Sequence, residues 1–102
     1  EGSFRYKIGV LSDQKVNLVR LDVYYGLPEG GYQFDRSYGP EKLKQFLGAL
    51  EIPPGGGLRM STGFTPSKEL QIKFRDYVFF ATTPEGGEFQ GAVRVHFQAD
   101  KS

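Results

Sequence analysis

The sequence has no cysteine and a single histidine among its 102 residues. The missing cysteine excludes disulfide bonds, thiolate nucleophiles, iron–sulfur clusters and cysteine-bound zinc. The single histidine, His96, would have to serve in any serine–histidine–aspartate triad. It lies between Val95 and Phe97 in a segment that alternates like a β-strand, on the side away from the apolar residues. An outward strand histidine is ordinarily surface, so the sequence predicts no catalytic histidine.

A charge excess and a long apolar run are missing too. The formal net charge is +1, which excludes the strong positive field of a general polyanion binder. The longest apolar run, residues 77–81, is far shorter than the roughly 20 residues that a membrane-spanning helix needs. We therefore expect no membrane insertion. Neither feature selects a cellular compartment, and the localisation stays unassigned.

Glycine and aromatic residues are abundant. The chain contains 14 glycines, and many of them fall in three clusters, at residues 30–31, 55–57 and 86–87. Glycine clusters between alternating segments mark turns that separate short strands. Six tyrosines and nine phenylalanines predict an aromatic-rich core, and the length fits a single domain over residues 1–102.

Two alternating segments open the chain and predict a β-hairpin. Every second residue of residues 4–11 is apolar, as a half-buried strand requires. Residues 15–25 form the second strand, with Val19 and Leu21 on its apolar face. A tight turn between the two strands would place Ile8 opposite Val19, so that the two apolar faces meet.

A second hairpin is predicted from residues 70–80 and 89–97, because both segments alternate. The motif Pro-Glu-Gly-Gly at residues 84–87 separates them. Proline presets φ for the first corner of a turn, and glycine accepts positive φ. We expect a four-residue loop that is closed by Thr83 and Glu88.

The register of this second hairpin decides which face of each strand is buried. With a four-residue loop, Phe74 lies opposite Phe97 and Val78 lies opposite Val93, and these pairs form the core. Tyr77 then points to the other face. A shift of one residue would reverse the assignment, because successive strand residues point to opposite sides.

One helix is predicted over about residues 40–50. Pro40 suits the first turn of a helix, and Glu41 is favourable near the positive end of the helix dipole. Leu43, Phe46 and Leu47 fall on one apolar stripe.

The segments before and after this helix resemble each other. Pro-Glu-Gly-Gly occurs at residues 28–31 and again at residues 84–87, each time after an aromatic strand. The repeat predicts two three-stranded β meanders, about residues 4–36 and 57–98, joined by the helix. The alternative is that a β-rich chain simply uses the same turn chemistry twice.

These elements predict a mainly β fold: a small β-sandwich or barrel of about six antiparallel strands with one short helix. The alternative is an α+β, β-grasp-like fold, in which a hairpin is followed by a helix. Six strands against one helix favour the sandwich or the barrel.

The chemistry of the side chains indicates a protein without catalytic activity. The glycine clusters match neither a phosphate-binding loop nor a dinucleotide fingerprint, and the acidic residues show no metal-ligand spacing. We therefore expect no cofactor and no metal site. The expected function is a non-enzymatic protein-binding or assembly module.

The first candidate surface is the connection after the second strand, which carries Tyr32, Arg36 and Tyr38. Tyrosine and arginine are enriched at interface hot spots, since they combine a large contact area with polar tips. We expect another protein as the partner, and a second copy of this chain as a variant. The structural alternative is a third strand with buried aromatic residues.

The second candidate surface would bind nucleic acid or an anionic glycan. In the predicted register, one face of the second hairpin is both basic and aromatic, a combination found on single-stranded nucleic-acid platforms. The structural alternative is that Tyr77 belongs to the core and the charges line its rim. The face comprises Lys73, Arg75, Tyr77, Arg94 and His96.

Overall fold

The computed structural model of the protein describes residues 4–65 and 71–97. They form antiparallel strands and one helix, so the prediction of a mainly β fold with one short helix is confirmed. The predicted strand start at Leu70 and the end of the second meander at residue 98 lie outside the described residues. In chain order the elements are β1 (Phe4–Ser12), β2 (Val16–Gly26), β3 (Tyr32–Tyr38), α1 (Pro40–Leu47), β4 (Glu51–Ile52), β5 (Gly56–Phe64), β6 (Phe74–Thr82) and β7 (Glu88–His96).

The strands form two sheets. β1 pairs with β5, and the larger sheet has the order β3-β2-β6-β7, with the short β4 added beside β2. Every pairing is antiparallel. The described strands do not close into a barrel, so the arrangement is sandwich-like.

The apolar core lies between the two sheets. We call the face of the larger sheet that contributes to this core the inner face, and the opposite one the outer face. Leu43 of α1 is fully buried against the same core, so the helix packs on the inner side. The core cluster consists of Ile8, Val16, Leu18, Leu21, Val23, Leu43, Ile52, Met60, Tyr77, Phe79 and Ala81.

The predicted hairpin between the first two strands is wrong. Ile8 lies opposite Met60 of β5, not opposite Val19. β2 pairs with β3 and β4 along one edge and with β6 along the other, so it has no free edge for β1. The chain instead crosses to the other sheet after Ser12, whose Oγ accepts a hydrogen bond from the Gln14 amide. The β-grasp alternative, which needs that first hairpin, does not apply.

A β-bulge changes the predicted face of β2. The register of β2 against β6 shifts between Leu18 and Arg20, which leaves Val19 as the extra residue. Leu18 and Leu21 are both buried as a result, whereas Val19 is 38% exposed. The prediction that Val19 shares a buried face with Leu21 is therefore wrong.

The turn between β6 and β7 contains three residues rather than four. The Thr83 amide donates to the Gly87 carbonyl at 2.9 Å, and the Gly86 amide donates to the Thr83 carbonyl at 3.0 Å. Gly86 has a φ of +95°, as expected for a type I turn followed by a glycine bulge. The predicted closure by Thr83 and Glu88 is thus wrong by one residue.

The shorter loop reverses the predicted face of β6. Phe74 lies opposite His96 and Val78 lies opposite Ala92, one residue away from the predicted partners in each case. Both residues are half-buried on the outer face. Tyr77 is only 1% exposed and belongs to the core, as the structural alternative had it.

The helix forms where the sequence predicted it, but it is shorter. It ends at Leu47, because Gly48 takes a left-handed conformation with a φ of +84° and its amide donates to the Lys44 carbonyl. Phe46 makes an edge-to-face contact with Tyr38 at 5.0 Å between ring centroids, which fixes the helix beside β3.

The two hairpins of the larger sheet have equivalent turns. In the first, the Leu27 amide donates to the Gly31 carbonyl at 2.7 Å, and the Gly30 amide donates to the Leu27 carbonyl at 2.9 Å. The same bonds occur at the second Pro-Glu-Gly-Gly motif, and Gly30 has a φ of +111° where Gly86 has +95°. The hairpins β2–β3 and β6–β7 are therefore built on the same turn.

These hairpins are related by an approximate two-fold axis through the larger sheet. The sixth residue before the turn proline is Asp22 in the first hairpin and Val78 in the second, and these residues lie directly opposite each other. In the smaller sheet, Arg5 lies opposite Gly63, and Arg59 lies opposite Gly9. The two halves are not meanders, because the first strand of each half pairs with the first strand of the other.

Candidate functional site

The predicted partner-binding residues lie on β3, where a bulge divides them between two faces. The register against β2 pairs Tyr24 with Phe34 and Val23 with Arg36, so Asp35 is the extra residue. Before the bulge, aromatic side chains point to the outer face. After the bulge, Arg36 and Tyr38 lie opposite Val23 and Leu21 and point to the inner side.

Tyr32 therefore does not share a surface with Arg36 and Tyr38. Tyr38 is half-buried and packs against the core on the inner side. The Arg36 guanidinium donates to the Tyr38 hydroxyl at 3.5 Å, and this bond, with the nearby Asp35, raises the pKa of Arg36. The alternative of a third strand is correct for the backbone, but Tyr32 and Phe34 are not buried, since they are 52% and 54% exposed.

The basic and aromatic residues of the second candidate surface are divided as well. Arg75 and Tyr77 point to the inner side, whereas Arg94 and His96 point to the outer side. Lys73 is exposed next to the start of β6, where its amide donates to the Gly26 carbonyl. The continuous basic strip that the four-residue loop predicted is not formed.

Arg75 connects the two sheets instead of facing solvent. Its guanidinium donates to the Gly63 carbonyl of β5 at 3.1 Å and to the Asp35 carboxylate at 3.2 Å. The side chain is only 12% exposed. It also lies 5.4 Å from the ring centroid of Tyr77, whose hydroxyl is hydrogen-bonded to that of Tyr6 at 2.7 Å. Arg75 is therefore a structural residue of the sandwich.

The outer face brings together a group of side chains that the sequence had not connected. Tyr24 and Tyr32 stack with parallel rings at 5.3 Å between centroids, and Phe34 meets Tyr24 edge to face at 5.5 Å. Phe74 continues the row at 6.0 Å from Tyr32. We call this group the outer-face cluster; it comprises Tyr24, Tyr32, Phe34, Phe74, Asp76 and Arg94.

An ion pair lies within the outer-face cluster. The Arg94 guanidinium donates to both Asp76 carboxylate oxygens, at 2.7 and 3.0 Å, and covers the Phe74 ring at 3.8 Å from its centroid. The Tyr32 hydroxyl donates a third hydrogen bond to Asp76 at 2.8 Å. The Arg94 bonds, followed by the Tyr32 bond, lower the pKa of Asp76, although burial opposes them. Desolvation and the bond to Asp76 raise the pKa of Tyr32 to about 12.

Within the outer-face cluster, Asp76 is poorly placed to accept a proton. Both oxygens of Asp76 are occupied by donors, and a lowered pKa makes the carboxylate a weak base.

Among residues 4–65 and 71–97, no three histidine or acidic side chains are grouped so that they could hold a metal ion. No helix in the described part of the chain is long and apolar enough to span a membrane.

The sequence identified Tyr32 and Arg94 as candidates but placed them on separate surfaces, and it missed Tyr24, Phe34 and Asp76. The sequence treated Asp76 only as an acidic residue without metal-ligand spacing, and the predicted register put its strand face in the core. The repeated Pro-Glu-Gly-Gly motif signalled that both hairpins share one loop length, but it did not indicate which length. Neither a scan of protein-family models nor a search of curated proteins found a match to the chain.

Proposed function

We propose that the protein is a non-enzymatic protein-binding module and that the outer-face cluster is its contact surface. The observation that carries this proposal is the exposure of Tyr32 and Phe34, which present about half of their surface to solvent from a regular sheet. None of the outer-face side chains belongs to the core cluster. Large aromatic side chains together with arginine are the composition of interface hot spots.

The cluster is also fixed before any partner arrives. Stacking holds Tyr24 against Tyr32, and the Tyr32 hydroxyl is held by Asp76, which Arg94 holds in turn. Side chains that are already ordered lose little conformational entropy on binding. A rigid aromatic surface therefore gains more from a complementary partner than a mobile loop would.

A protein partner fits the charges of this face better than a polyanion does. The charge of Arg94 is balanced by Asp76, and that of Arg20 by Asp22 at 3.1 Å. Neutralised arginines supply little of the counterion release that drives nucleic-acid or anionic-glycan binding. Binding of an anionic ligand is therefore the alternative that the experiment below has to distinguish from binding of a protein.

The experiment places a photo-crosslinking phenylalanine analogue at Phe34 and, as the matched control, at Leu11, which is 84% exposed away from the cluster. Crosslinking in cell extract should yield a discrete protein adduct at position 34 and none at position 11. The identified protein is then purified and titrated. Tyr32→Ala with Phe34→Ala should weaken its binding about tenfold or more, as expected for hot-spot truncation.

Two further variants complete this test. Tyr32→Phe keeps the ring and its stacking on Tyr24 and removes only the hydroxyl bond to Asp76, so it should lose much less affinity than the alanine pair. Identical adducts at both positions would contradict the proposal. Retention on heparin at low salt that is lost with Arg94→Ala would favour the anionic ligand instead.

A further inference from the structure

β7 is an edge strand whose outward hydrogen-bonding groups can be identified. The Phe97 amide donates to the Lys73 carbonyl and the Thr83 amide donates to the Gly87 carbonyl, so the odd-numbered residues of β7 bond to β6. The even-numbered residues direct their amides and carbonyls away from β6. In the described part of the chain, β7 has no neighbouring strand on that side.

This edge lacks the usual protection against strand addition. β7 contains neither proline nor lysine, and its register against β6 is unbroken over nine residues. The opposite edge of the sheet, β3, is shorter and carries the bulge at Asp35. Bulges, lysine and proline are the devices that keep sheet edges from pairing with other chains. Of the two edges of the larger sheet, β7 is therefore the one that is open to a further strand.

We propose that β7 pairs antiparallel with β7 of a second copy of the chain, with the two-fold axis at Ala92. In this register, Glu88 of one copy lies opposite His96 of the other, and Gln90 lies opposite Arg94. A carboxylate opposite an imidazole and an amide opposite a guanidinium can form hydrogen bonds across the pair, whereas like charges directly opposite would destabilise the sheet. Phe89 meets Val95 on the other face, where Phe89 is otherwise 46% exposed.

The register with Ala92 at the axis uses the whole strand. Residues 88, 90, 92, 94 and 96 each direct one amide and one carbonyl outward, and all of them find partners. A shift by two residues in either direction leaves outward groups at one end of β7 without a partner strand. The small side chain of Ala92 lets the two copies approach at the axis.

Such a dimer would present two outer-face clusters on the same side. A two-fold axis perpendicular to a sheet keeps both outer faces directed the same way. The dimer is then bivalent toward any surface that offers two copies of a partner, and avidity increases without a new contact. Self-pairing does not depend on the proposed protein-binding function.

The absence of cysteine allows a direct test of the register. Ala92→Cys places two thiols opposite each other at the axis, within the Cα separation of roughly 5.5 Å that a disulfide accepts. Gln90→Cys, on the same strand face, is the matched control, because its counterpart in the register is Arg94. Mild oxidation should crosslink Ala92→Cys about tenfold or more faster than Gln90→Cys. Equal rates would overturn the proposed register.

Sedimentation equilibrium of the parent protein from micromolar to near-millimolar concentration should show reversible dimers. Glu88→Arg and His96→Glu should each weaken the dimer, and the double variant should restore it, because an arginine and a glutamate then lie opposite each other. Circular dichroism confirms that each variant is folded. A parent protein that stays monomeric throughout would overturn the proposal. Tyr32→Ala with Phe34→Ala should dimerise normally, so that failure of the binding function is distinguished from failure of self-pairing.

Discussion

The hairpins β2–β3 and β6–β7 share one turn and differ in how their outer strands are finished. β3 carries the bulge at Asp35 and is joined to the smaller sheet through Arg75. β7 has a regular register and exposed side chains along most of its length. The difference shows that a repeated turn pairs each outer strand with the strand before it, whereas the bulge at Asp35 and the Arg75 contact distinguish one edge from the other.

The clefts beside these two edges show the same contrast. The cleft between β3 and β5, of about 360 Å³, is lined by Arg75 together with Asp35. The cleft between β1 and β7, of about 380 Å³, is bordered by apolar side chains such as Val10, Leu18 and Phe79. Counted back from the turn proline, the residue that corresponds to Arg75 is Val19, which lies in the β2 bulge. One half therefore has a polar connection between the sheets that the other half lacks.

The largest expected effect tests which residues of β6 lie on the inner face and which lie on the outer face. Tyr77→Ala should destabilise the protein by about 3–5 kcal/mol, because it removes a fully buried ring close to the approximate two-fold axis of the larger sheet. Phe80→Ala, on the outer face three residues away, should cost clearly less, since that ring is only half-buried beneath Arg20. Urea unfolding measures both free energies of unfolding. A larger loss for Phe80→Ala would show that the faces are reversed.

The second prediction breaks the polar connection that Arg75 makes from β6 to β5 and to β3. Arg75→Met should cost about 2 kcal/mol, because hydrogen bonds to charged groups contribute about 1.5–3 kcal/mol and the Asp35 carboxylate loses its partner from β6. Val19→Ala at the corresponding position should cost about 0.5 kcal/mol or less, as for an exposed residue. The same urea titration compares them. Equal effects would mean that Arg75 does not distinguish the two halves.

The third prediction tests the equivalence of the turns. Gly30→Ala and Gly86→Ala should each cost about 1–2 kcal/mol, because a Cβ atom is disfavoured at positive φ. An added Cβ would meet no atom within 4 Å at either position, so the backbone alone sets the cost. Thermal unfolding of both variants should therefore give closely similar shifts. A difference of several fold would contradict the equivalence.

The alternation of each strand could be read from the sequence, but its register and its partner could not. The odd-numbered residues Val93 and Val95 of β7 were correctly assigned to the core side. Pro-Glu-Gly-Gly suits a four-residue loop as well as the observed three-residue loop with Gly86 at positive φ. This difference of one residue in loop length reverses the faces of β6. Tyr77 therefore lies in the core, and the predicted basic strip does not form. Local turn chemistry therefore left one residue of register undecided, and half of the candidate site depended on it.

The partner strand of β1 could not be predicted from the sequence, for a different reason. An alternating strand specifies which face it buries, but not which of several apolar strands it joins. β1 pairs with β5, which follows the helix, because neighbouring strands already occupy both edges of β2. Tyr24 and Phe34 show the same limit at the site, since their contact follows from the bulge at Asp35, which no local pattern predicts.

The smallest expected effect concerns Asp76, whose ion pair with Arg94 belongs to the second hairpin alone. Its folded-state pKa is lowered, first by the Arg94 hydrogen bonds, so the ionised form stabilises the fold at pH above the unfolded-state value of about 3.9. That contribution is lost as the pH falls through the lower folded-state pKa. The asparagine of Asp76→Asn cannot ionise, so this variant lacks the pH-dependent contribution to the free energy of unfolding. The stability difference between the parent protein and Asp76→Asn should therefore be constant near neutral pH and narrow below about pH 4. Parallel stability curves from neutral to strongly acidic pH would show that Arg94 does not act on Asp76 in solution.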